Sequence, residues 1–158
     1  MIMSDVSSEA AASGAGQGNR FPWLASWAVR VALSAAFLSA VADRFGIWGQ
    51  PGTDGVAWGS LENYESYVAV LNWYLPQSLI KPIGWGATIA EVLVALGLLA
   101  GWRLRWVAVA AGLLLTVFAT AMVVALGPKP PLDYSVLSAA SAAWLLAAVT
   151  PASPRHEK

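Results

Sequence analysis

The chain has 158 residues, of which 58% are hydrophobic and only 11% charged, with nine basic and nine acidic side chains and a net charge of zero. A soluble domain carries about a quarter charged residues, and the charges here are unevenly placed: residues 23–42 hold one, 82–102 hold one, and 106–127 and 134–150 hold none. A soluble globule is excluded, as are a nucleic-acid footprint, thiol chemistry in a chain without cysteine, and a haem or metal held by histidines, since the only histidine is His156.

The four charge-poor stretches run to 20, 21, 22 and 17 residues, lengths that at about 1.5 Å per residue read as crossings of the ~30 Å hydrocarbon layer. The expected fold is therefore all-α, a four-transmembrane-helix bundle. Residues 1–20 are rich in Ser, Ala and Gly and read as a disordered cytoplasmic tail. Pro22 supplies a first-turn helix start, and span 1 runs over about 23–45. A rival reading takes Arg20, Arg30 and Ala40-Val41-Ala42 as a signal peptide with its cleavage site. That leader would be overlong, with a basic residue inside its apolar run.

Residues 46–81 form the longest connection, an external loop. Its first half is rich in Gly and Trp, with the turn pair Asp54-Gly55. Its second half has helical spacing: Tyr64, Tyr67, Val68, Leu71 and Leu75 share one face, Ser60 is placed to cap the start, and Pro76 ends the pattern. This predicts a short amphipathic helix suited to the membrane–water interface, either a belt anchor or a lid. Span 2 is expected over 82–101, ending at a C′ glycine, Gly101. Span 3 follows a turn too short to do anything but reverse direction, over 105–127. Pro128-Lys129-Pro130-Pro131 makes a stiff turn into span 4, over 133–150. One membrane domain, 21–151, is thus flanked by the first tail and a polar tail, 152–158. Basic residues near the span ends split five to three, counting Arg20, Arg103, Arg105, Arg155 and Lys158 against Arg44, Lys81 and Lys129. The positive-inside rule then places both termini in the cytoplasm and the 46–81 loop outside.

Two charges fall inside the spans. Glu91 lies near the middle of span 2, where an acidic residue costs about 2.5–3.5 kcal/mol on the insertion scale, and such a residue faces protein or water rather than lipid. Its helical neighbours Gly84, Ala87, Thr88 and Ala95 are small or polar. Arg30 in span 1 shares its face with Ser26 and Ser34. Counted from Arg20 and Arg103, Arg30 and Glu91 both sit about 15–18 Å of helix rise from one end. An Arg30–Glu91 pair, with Thr88 and Ser34 beside it, is the expected polar pocket or structural ion pair. Asp43, Arg44, Trp48 and Asp133 are expected at the external rim, as solvated groups with weak local pairing or as the lining of an opening. No catalytic residue, phosphate loop, nucleophile elbow or metal-ligand cluster is predicted.

The stretch Ala42-Asp43-Arg44-Phe45-Gly46-Ile47-Trp48-Gly49, then Val56-Ala57-Trp58-Gly59, Tyr64, Tyr67, Trp73 and Leu75-Pro76, resembles the DoxX-like membrane proteins. So does Thr88-Ile89-Ala90-Glu91 followed by Gly97-Leu98-Leu99-Ala100-Gly101. The resemblance covers about residues 23–150 and implies a four-helix bundle in the bacterial inner membrane. It marks Asp43, Arg44, Trp48 and Glu91 as pattern positions without assigning them a catalytic role. Members of that family are linked to sulfur oxidation, quinone reduction or assemblies that handle oxidative stress. The function expected is a non-catalytic membrane subunit or a binder of a small hydrophobic ligand in a redox or quinone-linked assembly. The alternatives are a quinone-coupled oxidoreductase and a dimeric proton-coupled transporter. No cofactor is expected beyond a bound quinone or lipid. The expected partners are the bilayer, a protein in a membrane complex and a second copy of the chain, with no nucleic acid.

Overall fold

The structure is a computed structural model that describes residues 20–151. The disordered tail expected over 1–20 lies outside the described residues except for Arg20, which opens the first described helix, and the polar tail over 152–158 lies outside them entirely. Six helices follow in order: α1 Arg20–Arg44, α2 Leu61–Leu71, α3 Gln77–Ala100, α4 Leu104–Leu126, α5 Lys129–Asp133 and α6 Val136–Val149. The described residues form no strand.

Local chemistry sets the ends of these helices. At the end of α1, Gly46 takes a left-handed φ of 71°, with its N–H on the Asp43 carbonyl and the Ile47 N–H on the Ala42 carbonyl. This is the Schellman arrangement, which stops the helix just after Arg44 and turns the chain sharply. Ser60 caps α2, its Oγ accepting from the Asn63 N–H at 3.2 Å, as its position predicted. α3 begins at Gln77, five residues before the expected start at Pro82. Pro82 sits early in the helix, where its missing N–H forfeits only the bond to the Ser78 carbonyl.

Three helices, α1, α3 and α4, are long and apolar enough to cross a membrane. A fourth span of crossing length is not shown, because α6 has only 14 residues, about 21 Å of rise. The cause lies in the 128–135 segment. Pro130 and Pro131 occupy the first turns of α5, and Ser135 takes a left-handed φ of 55° that separates α5 from α6. The expected stiff turn is thus a short helix followed by a break.

α1, α3, α4 and α6 nonetheless share one core, built from Leu33, Phe37, Val94, Leu98, Ala111 and Leu146 with small residues between them. α6 packs chiefly on α4. There Gly112 lets the Trp144 ring lie where a Cβ would come within 2.8 Å of it, and Trp144 Nε1 donates to Thr116 Oγ1 at 3.2 Å. α2 docks across the first half of α3 through Tyr64, Val68 and Ile80. Large apolar side chains cover the outside, Leu93, Val124 and Leu145 among them. That outward hydrophobicity is what hydrocarbon solvent requires.

Candidate functional site

α1 and α3 run antiparallel, and two polar contacts fix their register. Arg30 Nε donates to the Leu98 carbonyl at 2.7 Å and Nη2 to the Leu99 carbonyl at 2.9 Å. Ser34 Oγ donates to the Ala95 carbonyl at 3.0 Å. Leu98 and Leu99 lie in the last turn of α3, whose final carbonyls have no partner within the helix. Arg30 therefore works as a cationic cap on the negative end of α3, and the Trp27 ring covers its guanidinium at 3.9 Å.

The same register explains why the expected Arg30–Glu91 pair does not form. It puts Glu91 level with Leu38, and Arg30 lies about 12 Å of helix rise away. Helical side chains also lean toward the N-terminus of their own helix. Arg30 leans away from Glu91, toward the end of α3. Arg44, at the end of α1, leans back along the bundle, and Glu91 leans toward it.

Arg44 is the partner. Its Nη2 lies 2.7 Å from both oxygens of Glu91, donating to Oε1. Nη1 donates to Thr88 Oγ1 at 2.7 Å, and the Thr88 hydroxyl donates onward to the Gly84 carbonyl at 2.9 Å. The Tyr64 ring lies over the guanidinium at 3.9 Å and Trp58 stands at 5.3 Å. Gly84 makes room for that ring, since a Cβ there would come within 3.3 Å of Tyr64. Asp43 completes the cluster. Its Oδ2 accepts from the backbone N–H groups of Ala57 and Trp58, at 3.0 and 2.9 Å, and so pins the loop that carries Trp58.

Asp43 and Arg44 are thus not solvated rim groups; they are 5% and 3% exposed, and Glu91 is 2% exposed. Asp43 Oδ1, Arg44 Nε and Glu91 Oε2 have no hydrogen-bond partner among the described residues, although Oε2 keeps its ionic contact with Nη2. Trp48 and Asp133 do stay exposed. Trp48 donates to the Ser39 carbonyl at 3.1 Å, and Asp133 pairs with Lys129 one turn away. Thr88 and Ser34, expected beside one pair, belong to two separate contacts. Tyr64 and Trp58 are the site residues that the sequence reading missed; their clustering after the span 1 exit was the signal available.

The cluster is filled. The crevice beside it, between Tyr64, Glu65, Gly84, Trp85 and Thr88, has no room for a water molecule. Burial pushes the Tyr64 phenol above its ordinary range, with Arg44 pulling the other way, so the phenol is neutral at physiological pH, its ring over the guanidinium and its hydroxyl donating to the Gly84 carbonyl at 3.4 Å. Among the described residues no three His, Cys, Asp or Glu side chains are grouped to hold a metal. The arrangement is suited to clamping three helices together.

No curated protein and no solved structure matches the chain. The family model described as methylamine utilisation protein MauE matches residues 22–133, from α1 through α5, and so includes every residue of the cluster. That match overturns the DoxX resemblance, which was read from the charged and aromatic residues after span 1 and from the Thr88–Gly101 part of span 2. With three apolar helices of crossing length, the chain is a multi-pass membrane protein, and it belongs to the MauE family of methylamine utilisation proteins.

Proposed function

We propose that the chain is a non-catalytic membrane component of a methylamine-utilisation system, and that it presents an extramembrane face to a protein partner. The observation that carries this reading is the filled Arg44 cluster. One guanidinium joins α1, α3 and α2, and the crevice beside it is closed even to water. The pair sets the shape of the face formed by the loop after α1 and by α2. The chain carries no cofactor of its own, and residues 21–151 act as one domain.

The domain sits in the bacterial inner membrane with both termini in the cytoplasm, as the basic-residue split favours. α5 and α6 together supply the fourth crossing. α6, the shorter apolar helix, rises about 21 Å, and the residues flanking it complete the crossing, so that both termini share one side.

Purification in mild detergent from cells growing on methylamine tests the reading. A protein partner in fixed stoichiometry is expected with the wild type and lost in Arg44→Gln and Glu91→Gln. A strain carrying either variant is expected to grow poorly on methylamine. The reading fails if purified protein in vesicles, with no partner, transports or converts methylammonium in a Glu91-dependent manner.

A further inference from the structure

At the Arg44 end of the bundle, a groove of about 340 Å³ runs between α2 and the first turns of α3. That volume lies in the range of small-molecule sites. Glu62 and Glu65 line it from α2, Gln77 and Lys81 from α3, over a floor of Ala69 and Ile80. The ion pairs among the described residues are Arg44–Glu91 and Lys129–Asp133. The two carboxylates and the ammonium of the groove thus form no ion pair among the described residues. Lys81 also heads a stripe: Trp85 and Ile89 follow it at four-residue spacing on α3, 39% and 55% exposed. A cation, an indole and an aliphatic side chain therefore descend one helix face from the groove into the lipid-facing band.

We propose that this groove holds the headgroup of an aminophospholipid. Its primary ammonium lies on Glu62 and Glu65, its phosphate on Lys81, and one acyl chain runs along Trp85 and Ile89. Each part of the ligand answers a part of the site. Two carboxylates repel a purely anionic headgroup, a quaternary ammonium has no N–H to donate to them, and a soluble cation would use neither Lys81 nor the apolar stripe.

The test is lipid retention by the whole purified protein in native mass spectrometry, with phosphatidylethanolamine, phosphatidylcholine and phosphatidylglycerol of identical chains. Phosphatidylethanolamine is expected to be retained more strongly than the others by on the order of tenfold, the scale of one hydrogen bond to a charged group. The double variant E62Q/E65Q is expected to retain phosphatidylglycerol as well as phosphatidylethanolamine. Lys81→Gln is expected to weaken both, and Lys81→Arg to restore them. Glu62 and Lys81 are exposed and Glu65 is partly so, so the lipid-free variants are expected to melt like the wild type. Equal retention of the three lipids by the wild type overturns the proposal. So does a preference that survives both E62Q/E65Q and Lys81→Gln, or soluble phosphoethanolamine competing as well as the lipid does.

Discussion

Arg44 is one residue from the end of its helical pattern, and its sequence position alone suggests a charge released to water. Its lean toward the helix N-terminus instead carries it back into the bundle, onto Glu91, Thr88 and the Tyr64 ring. The cost of an acidic residue in hydrocarbon identified Glu91 as a residue that needs a partner. Choosing that partner required the helix register, which depends on contacts such as Ser34 to Ala95 that no periodicity encodes. Because the pair is buried, removing one member leaves an uncompensated charge. Arg44→Gln and Glu91→Gln are each expected to destabilise the protein by about 3–5 kcal/mol, read as a loss of unfolding temperature in detergent. Arg30→Met removes a helix cap and is expected to cost only about 1–2 kcal/mol. Tyr64 gives a pH signature. Its folded pKa is raised, so its contribution is complete below the ordinary tyrosine value of about 10 and is lost as pH rises through the folded value. Alkaline melting curves of wild type and Tyr64→Phe check this: the wild type is expected to lose more stability above that pH than the variant does.

Among the helices, the sequence signals were most reliable where one residue type has one local use. Ser60 as a cap and Gly101 as the end of α3 lie where their chemistry places them. Proline was less informative, because Pro82 is tolerated inside α3 and Pro130-Pro131 begin a helix rather than a turn. The α4–α6 seam shows what glycine does in such a bundle. Gly112 admits Trp144, and a Cβ would lie 2.8 Å from the indole. Gly112→Ala is expected to push the ring outward and cost about 1–3 kcal/mol. Trp144 fluorescence would shift with it, and a variant with wild-type melting and emission would show that the seam is looser than described.

For the molecule as a whole, the membrane class was legible from the distribution of charge, and the all-helical architecture followed from it. The number of crossings was less legible, since an uncharged stretch of the right length does not reveal an internal break such as the one at Ser135. The family was misread because the residues that carried the resemblance, an Asp-Arg pair followed by Gly and aromatic residues and one stretch around Glu91, are too few to separate one small membrane family from another. The proposed topology makes its own prediction. Reporter fusions after residue 151 and within the 46–60 loop are expected to report opposite sides of the membrane; the same side for both would mean that α5 and α6 do not cross.

Glu91 belongs to Arg44 and not to Arg30. A pair of double-mutant cycles on thermal or denaturant stability tests it most directly, one combining Arg44→Gln with Glu91→Gln and the other Arg30→Gln with Glu91→Gln. A coupling of about 1.5–3 kcal/mol is expected in the first cycle, and additivity within about 0.5 kcal/mol in the second. Strong coupling between Arg30 and Glu91, with none between Arg44 and Glu91, would contradict that pairing.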